Sequence, residues 1–175
     1  MEQLYQRMVG AAKLNLATFR EVEEDTTATM QAAVVVVLVA VASGIGNLSI
    51  SGPFGLLRGI LAGLFGWALL AALTYWIGTR LLALPETKAD WGQLARTLAF
   101  AQSPGILFVL GVLGFAVSFL GSIFLFLVSV WVLIASVIAV REALDYGNDT
   151  IRAFAVVILA YIPYILVFVL LSAIS

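Results

Sequence analysis

From Thr97 to Val140, forty-four residues pass without a charged side chain. As one helix such a run would measure roughly 66 Å, about twice the hydrocarbon core of a bilayer. The run is therefore membrane sequence, and it must fold back once. Its middle carries the small residues Gly111, Gly114, Ser118, Gly121 and Ser122. Two spans in a hairpin are expected, turning between Phe115 and Ser122.

Three further charge-free stretches complete the map: Thr26–Leu57, Gly59–Thr79 and Ala153–Ser175. The expected fold class is all-α and polytopic, with five spans near Thr29–Gly46, Leu57–Thr79, Ser103–Ser118, Gly121–Val140 and Ala153–Ser172. Residues 1–28 are expected to form a cytoplasmic amphipathic segment, and residues 29–175 the transmembrane domain. A β-barrel would show short alternating segments instead. Five spans place Arg7, Lys13, Arg20, Arg80, Lys88, Arg96, Arg141 and Arg152 on one side and Arg58 alone on the other. That asymmetry predicts the N-terminus inside and the C-terminus outside. Ala40-Val41-Ala42 before Ser43 has the form of a signal cleavage site. Acids at Glu21–Asp25 stand where a signal needs positive charge, so the first span is expected to be retained.

Composition narrows the chemistry. The chain is 63% hydrophobic and 11% charged, with no cysteine and no histidine. Thiolate nucleophiles, disulfides and metal sites built on sulfur or imidazole are excluded. A net charge of −1 offers no basic surface for nucleic acid. No ionisable residue lies at membrane depth away from the span ends, so proton relays and carboxylate ion sites have no parts. An intramembrane enzyme would need an unaided serine, which is a poor nucleophile without a base. No enzyme activity, cofactor or metal is expected.

On the inner side, Glu2–Val22 reads as one amphipathic helix. Leu4, Met8, Ala12, Leu16, Phe19 and Val22 share a face and Arg7, Lys13 and Arg20 lie opposite. Such a helix would lie in the headgroup plane. Glu23, Glu24, Asp25, Thr26 and Thr27 suit the start of the first span, or a patch pairing with Arg80, Arg96 or Arg141. The loop Pro85–Arg96 carries a second short amphipathic helix, with Thr87 and Asp90 at capping-box spacing and Trp91 at the headgroup boundary. Arg141 with Asp145, and Asp149 with Arg152, have pair spacing and would contribute about 0–1 kcal/mol each if exposed.

Within the spans the polar residues are neutral. Serines there mostly pack helices or bond their own backbone. Gln102, Ser103 and Pro104 form either a plain start of the third span or a polar notch open to headgroups or a partner. Pro163 removes the hydrogen bond to the Leu159 carbonyl and predicts a kink. Gly59 and Gly63 make a GxxxG face, and Gly114, Ser118 and Ser122 continue four-residue spacing in the hairpin; such faces allow close helix approach.

Four stretches taken in order have a familiar layout: Thr74-Tyr75-Trp76-Ile77-Gly78-Thr79, Ala89-Asp90-Trp91-Gly92-Gln93-Leu94-Ala95-Arg96-Thr97, Phe100-Ala101-Gln102-Ser103-Pro104-Gly105 and Ala139-Val140-Arg141-Glu142-Ala143-Leu144. The chain resembles the Yip1 family of five-span membrane proteins, particularly its short bacterial members. The resemblance implies a multi-pass protein of the cell membrane (a bacterial inner membrane) with no catalytic residues to carry over. It also implies a role in membrane organisation, lipid handling or adaptor work. Eukaryotic relatives are linked to Rab GTPases and vesicle trafficking, but their Asp-Leu-Tyr-Gly-Pro signature is absent near the first span here.

The leading expectation is a non-enzymatic scaffold or adaptor contacting membrane lipids and other membrane proteins, or copies of itself. Its candidate contacts are Trp91, Arg96, Gln102, Ser103, Pro104, Arg141 and Asp145. The alternative is an oligomeric lipid or small-solute conduit. Its hydroxyl-lined groove would draw on Ser118 and Ser122, with Gly59, Gly63, Gly114 and Pro163 shaping the helices.

Overall fold

The computed structural model describes residues 2–85, 87, 89–113 and 118–174. Among these residues every regular element is helical: α1 (Glu2–Ala12), α2 (Leu16–Glu24), α3 (Ala28–Gly46), α4 (Leu48–Trp76), α5 (Trp91–Ala101), α6 (Phe119–Ala143) and α7 (Thr150–Ile174). A π turn, Ile77–Leu81, extends α4, and a 3₁₀ segment, Ser103–Leu113, extends α5. Ala28–Gly46, Gly52–Leu81, Trp91–Leu113 and Phe119–Ala143 are long and apolar enough to cross a membrane, and α7 adds the shorter apolar stretch Thr150–Leu166. The chain is a polytopic helical membrane protein.

Packing joins the apolar elements into a ring. α3 packs against α4 on one side and against α5 and the 3₁₀ segment on the other; α6 covers α5, and α7 closes the ring between α6 and α4. The valine block of α3 shows how one helix serves two surroundings. Val35, Val36 and Val39 are buried in the ring, whereas Val34, Val37 and Leu38 point outward. Outward apolar side chains in the middle of α6, such as Phe126, Leu127 and Ile134, face what must be lipid, since hydrocarbon is their compatible solvent.

The GxxxG face packs within the chain. A Cβ on Gly59 would lie 2.6 Å from the Cα of Gly44, and one on Gly63 would lie 3.0 Å from Ala40. Glycine is thus needed where α3 and α4 touch backbone to backbone.

Several boundaries differ from the sequence expectation. The N-terminal segment is two helices folded back on each other. Leu14 adopts φ 59° and the Asn15 side chain caps α2 by accepting from the Ala17 N–H at 3.0 Å. A residue that caps well competes with helix continuation, and Gly10 leaves room for Thr18 to press against α1. The hairpin buries Ala11, Phe19 and Val22 against the bundle, and Trp131 Nε1 of α6 donates to the Ala12 carbonyl at 2.7 Å. Its apolar face therefore serves the protein core.

The expected short loop helix is the first half of the third span, continuous in direction with Ser103–Leu113. Pro104 has no N–H for the Phe100 carbonyl; the Ser103 hydroxyl donates to that carbonyl instead, at 2.6 Å, and the helix tightens to 3₁₀. The expected box between Thr87 and Asp90 does not form: Asp90 is itself the N-cap of α5, and its box is closed with Gln93, whose Oε1 accepts from the Asp90 N–H at 2.9 Å. Thr87 turns away and accepts from the Leu84 N–H at 2.9 Å. The second span begins earlier than Leu57, with a break at Gly52 (φ 60°) just before Pro53. α7 runs helically through Pro163. Gly114 and residues 115–117 of the expected hairpin turn lie outside the described residues, and α6 already begins at Phe119.

Candidate functional site

One end of the ring carries nearly all the charge chemistry. Arg7, 3% exposed, joins three elements there. Its Nε donates to Glu21 at 2.9 Å, Nη2 to Asp25 at 2.6 Å and Nη1 to Gln31 at 3.0 Å. Asp25 also accepts from the Thr27 hydroxyl (2.6 Å) and N–H (2.8 Å), capping the turn into α3. The Thr27 hydroxyl, and after it the Arg7 guanidinium, hold the Asp25 carboxyl down at about 2.

Arg96, expected as a partner contact, is only 6% exposed. Its Nε and Nη2 donate to the carbonyls of Val22 (3.2 Å) and Glu23 (2.6 Å) at the end of α2, with Thr29 at 3.4 Å. Carbonyls at a helix C-terminus lack intrahelical donors and carry the negative end of the dipole, so a buried guanidinium suits them. Arg96 therefore clamps the N-terminal hairpin to α5 and is withdrawn from the surface.

Beside this clamp, Glu142 bridges two arginines. Its Oε2 accepts from Arg20 at 2.7 Å and its Oε1 from Arg141 at 2.9 Å. Arg141 also donates to the Thr150 hydroxyl at 3.1 Å. The expected Arg141–Asp145 pair does not form, because α6 ends at Ala143 and Asp145, at φ 54°, has left the helical path. Asp149 and Arg152 do pair, at 2.9 Å. Arg20, Glu23, Glu24, Glu142 and Asp145 surround an open depression of about 370 Å3. Burial, then the neighbouring Asp145, Glu142 and Glu24, push the Glu23 carboxyl up to about 7, against Arg96.

Tyr146 fastens the remaining loop. Its hydroxyl lies 2.8 Å from the Leu82 carbonyl and 3.0 Å from that of Gly78, and Arg152 stands 5.9 Å from its ring. Burial raises the Tyr146 hydroxyl to about 12. The hairpin, the α4–α5 loop and the α6–α7 loop thus form one polar platform. Trp91, 42% exposed, marks its rim and meets Tyr75 edge to face at 5.6 Å.

The other predicted residues are scattered. Ser103 and Pro104 are buried, while Gln102 is partly accessible inside the ring. Ser118 caps α6 by accepting from the Gly121 N–H at 3.1 Å, and Ser122 is exposed one turn on. Within α6, Ser129 donates to Leu125 at 3.0 Å and Ser136 to Val132 at 2.8 Å. The structure does not gather these serines into a common groove. Gly59 and Gly63 serve the α3–α4 contact, and Pro163 lies between Tyr161 and Tyr164, whose rings meet edge to face at 5.6 Å.

Reasoning from sequence put Arg7 on the exposed face of its helix, where the structure buries it, and missed Glu142, Tyr146 and Trp131. For Arg7 a signal existed: it lies three residues after Leu4 and four before Ala11, on their stripe. Tyr146 and Trp131 act across more than sixty residues of sequence, and no local pattern marks such contacts. Among the described residues, no group of acidic side chains could hold a metal ion.

No curated protein and no solved structure matches this chain. The family model described as the Yip1 domain matches residues 16–171. That range runs from the first residue of α2 deep into α7, so it takes in the apolar elements of the ring and the platform apart from α1 and its Arg7. The chain belongs to the Yip1 domain family.

Proposed function

We propose that this protein is a non-enzymatic scaffold or adaptor of the cell membrane. Its cytoplasmic platform would dock another membrane protein or a further copy of the chain. The observation that carries this reading is how the polar groups are used. Ser103, Ser129 and Ser136 each bond a carbonyl of their own chain segment. The charged groups, by contrast, converge from three separate segments on one end that keeps Arg20, Glu24 and Asp145 exposed. An oligomeric lipid or solute conduit would need hydroxyls turned toward a shared path, so it ranks second.

The depression lined by Glu23, Glu24, Glu142 and Asp145 against Arg20 and Arg141 has an acidic excess, which favours a basic segment on the partner. Glu24 and Asp145 are rim residues, and reversing rim charges mainly slows association. In the double variant Glu24→Lys, Asp145→Lys, recovery of a stoichiometric partner in native-lipid nanodiscs should fall at least tenfold, with the thermal midpoint retained. Equal recovery from wild type and variant, or the absence of any stoichiometric protein, would overturn the adaptor reading.

A further inference from the structure

The centre of the ring holds a cavity of about 150 Å3 between α3, α4, the 3₁₀ segment and α7, lined in part by Trp67, Gln102, Phe108, Tyr161 and Tyr164. None of its lining residues is charged. A second, larger cleft of about 440 Å3 shares Gln102, Phe108, Tyr161 and Tyr164 as a common wall. That cleft lies between α6 and α7 and is predominantly apolar. Its rim includes Phe126 and Ile165, 66% and 54% exposed on the lipid-facing side. The two spaces are therefore neighbours, with the four side chains of the common wall shared between the inner one and the cleft on the lipid-facing side.

The inner space carries one buried polar group with nothing to bond. Trp67 Nε1 is buried and has no hydrogen-bond partner among the described residues. An indole N–H can only donate, and leaving it unpaired in an apolar interior costs free energy. The side-chain amide of Gln102, only partly buried, lines the same cavity. A serine could satisfy itself on its own helix; an indole cannot. What is missing is an acceptor presented from inside the cavity.

We propose that the ring binds an uncharged lipid. Its carbonyl-bearing polar end would sit against Trp67 and Gln102, and its hydrocarbon tail would leave through the cleft between α6 and α7. Three features select this class. A charged headgroup would lose its hydration with no counter-charge in the lining. Trp67 requires an acceptor, which a ketone or ester carbonyl supplies and a plain hydrocarbon does not. The inner volume matches a single ring: a cavity of about 150 Å3 takes up benzene. A quinone ring on an alkyl or prenyl tail and a neutral acylglycerol share this chemistry, and the aromatic wall of Phe108, Tyr161 and Tyr164 favours the ring.

The full chain in phosphatidylcholine nanodiscs should bind decylubiquinone, read as quenching of tryptophan fluorescence. Gln102→Leu should weaken binding about fivefold, the cost of one hydrogen bond. Trp67→Phe should abolish the saturable part of the quenching and weaken binding about fivefold when radiolabelled quinone is counted directly. Dioleoylglycerol as competitor separates the sources. Displacement at similar concentration assigns the site to carbonyl lipids in general, and failure to displace assigns it to quinones. Hexadecane, with the tail alone, should compete at least tenfold less well. No saturable binding of either carbonyl lipid would overturn the proposal, as would equal competition by hexadecane. These selectivity measurements need only the wild-type protein, so they stand even where a variant fails to fold.

Discussion

At the scale of single residues, the decisive feature is where the arginines spend their donors. Arg7 and Arg96 are buried, yet each is satisfied by acceptors of the N-terminal hairpin and its junction with α3. Removing such a partner leaves buried groups unpaired at a cost of several kcal/mol. Arg96→Glu would thus damage the fold, and it is Asp145 and Glu24 that probe the surface. Glu23 sits within the same cluster and carries a pH dependence. Its carboxyl is raised to about 7 from an ordinary value of 4.5, because it is half-buried beside Asp145, Glu142 and Glu24 with Arg96 offsetting only part. Between those values the folded protein holds a proton that the unfolded chain has released. Stability contributed by Glu23 is therefore full below about 4.5 and is lost as pH rises through about 7. Glu23→Gln should flatten that decline. Thermal midpoints at pH 5 and pH 8 check it: the fall across the interval should be smaller in the variant than in wild type, and an equal fall would contradict the assignment.

At the scale of elements, hydrophobic runs located the spans well because a bilayer imposes both length and apolarity. The ends were less legible. Whether Ala95–Ala101 belongs to a loop helix or to a span depends on the burial of Leu94, Leu98 and Phe100 against other helices, and burial is a tertiary property. The break after α1 was equally hidden, since Asn15 reads both as a tolerated interruption of an apolar face and as a cap. The small-residue face of α4 was legible, and its partner was not: α3 offers Gly44 and Ala40. Because Gly59 meets backbone, Gly59→Ala must move two helices apart and should cost about 1–3 kcal/mol. The exposed Leu61→Ala in the same helix should stay within about 0.5 kcal/mol. Reversible unfolding in mild detergent checks the pair, and a neutral Gly59→Ala would mean that α3 and α4 are not in backbone contact.

At the scale of the whole molecule, the apolar ring and the charged platform divide the work. The ring ties Ser103, Ser129 and Ser136 to carbonyls of their own segments, while Trp67 Nε1 and Thr74 Oγ1 are buried without a partner among the described residues. The platform draws three chain segments to one end through Arg20, Arg96, Tyr146 and Arg152. The sequence predicted that these segments share a side of the membrane, because positive charge gathers on them. It was silent on their joining into one surface, which depends on contacts across long sequence separations. The adaptor reading depends on that surface facing the cytoplasm. The chain has no cysteine, so single cysteines report sidedness without a background. Asn148→Cys lies on the platform loop, whereas Phe54→Cys and Phe119→Cys are exposed at the opposite ends of their spans. Sealed right-side-out vesicles treated with a membrane-impermeant maleimide give the most direct measurement. The account predicts labelling at 54 and 119, and none at 148 until the membrane is opened. Labelling at 148 from outside, with 54 and 119 protected, would contradict it.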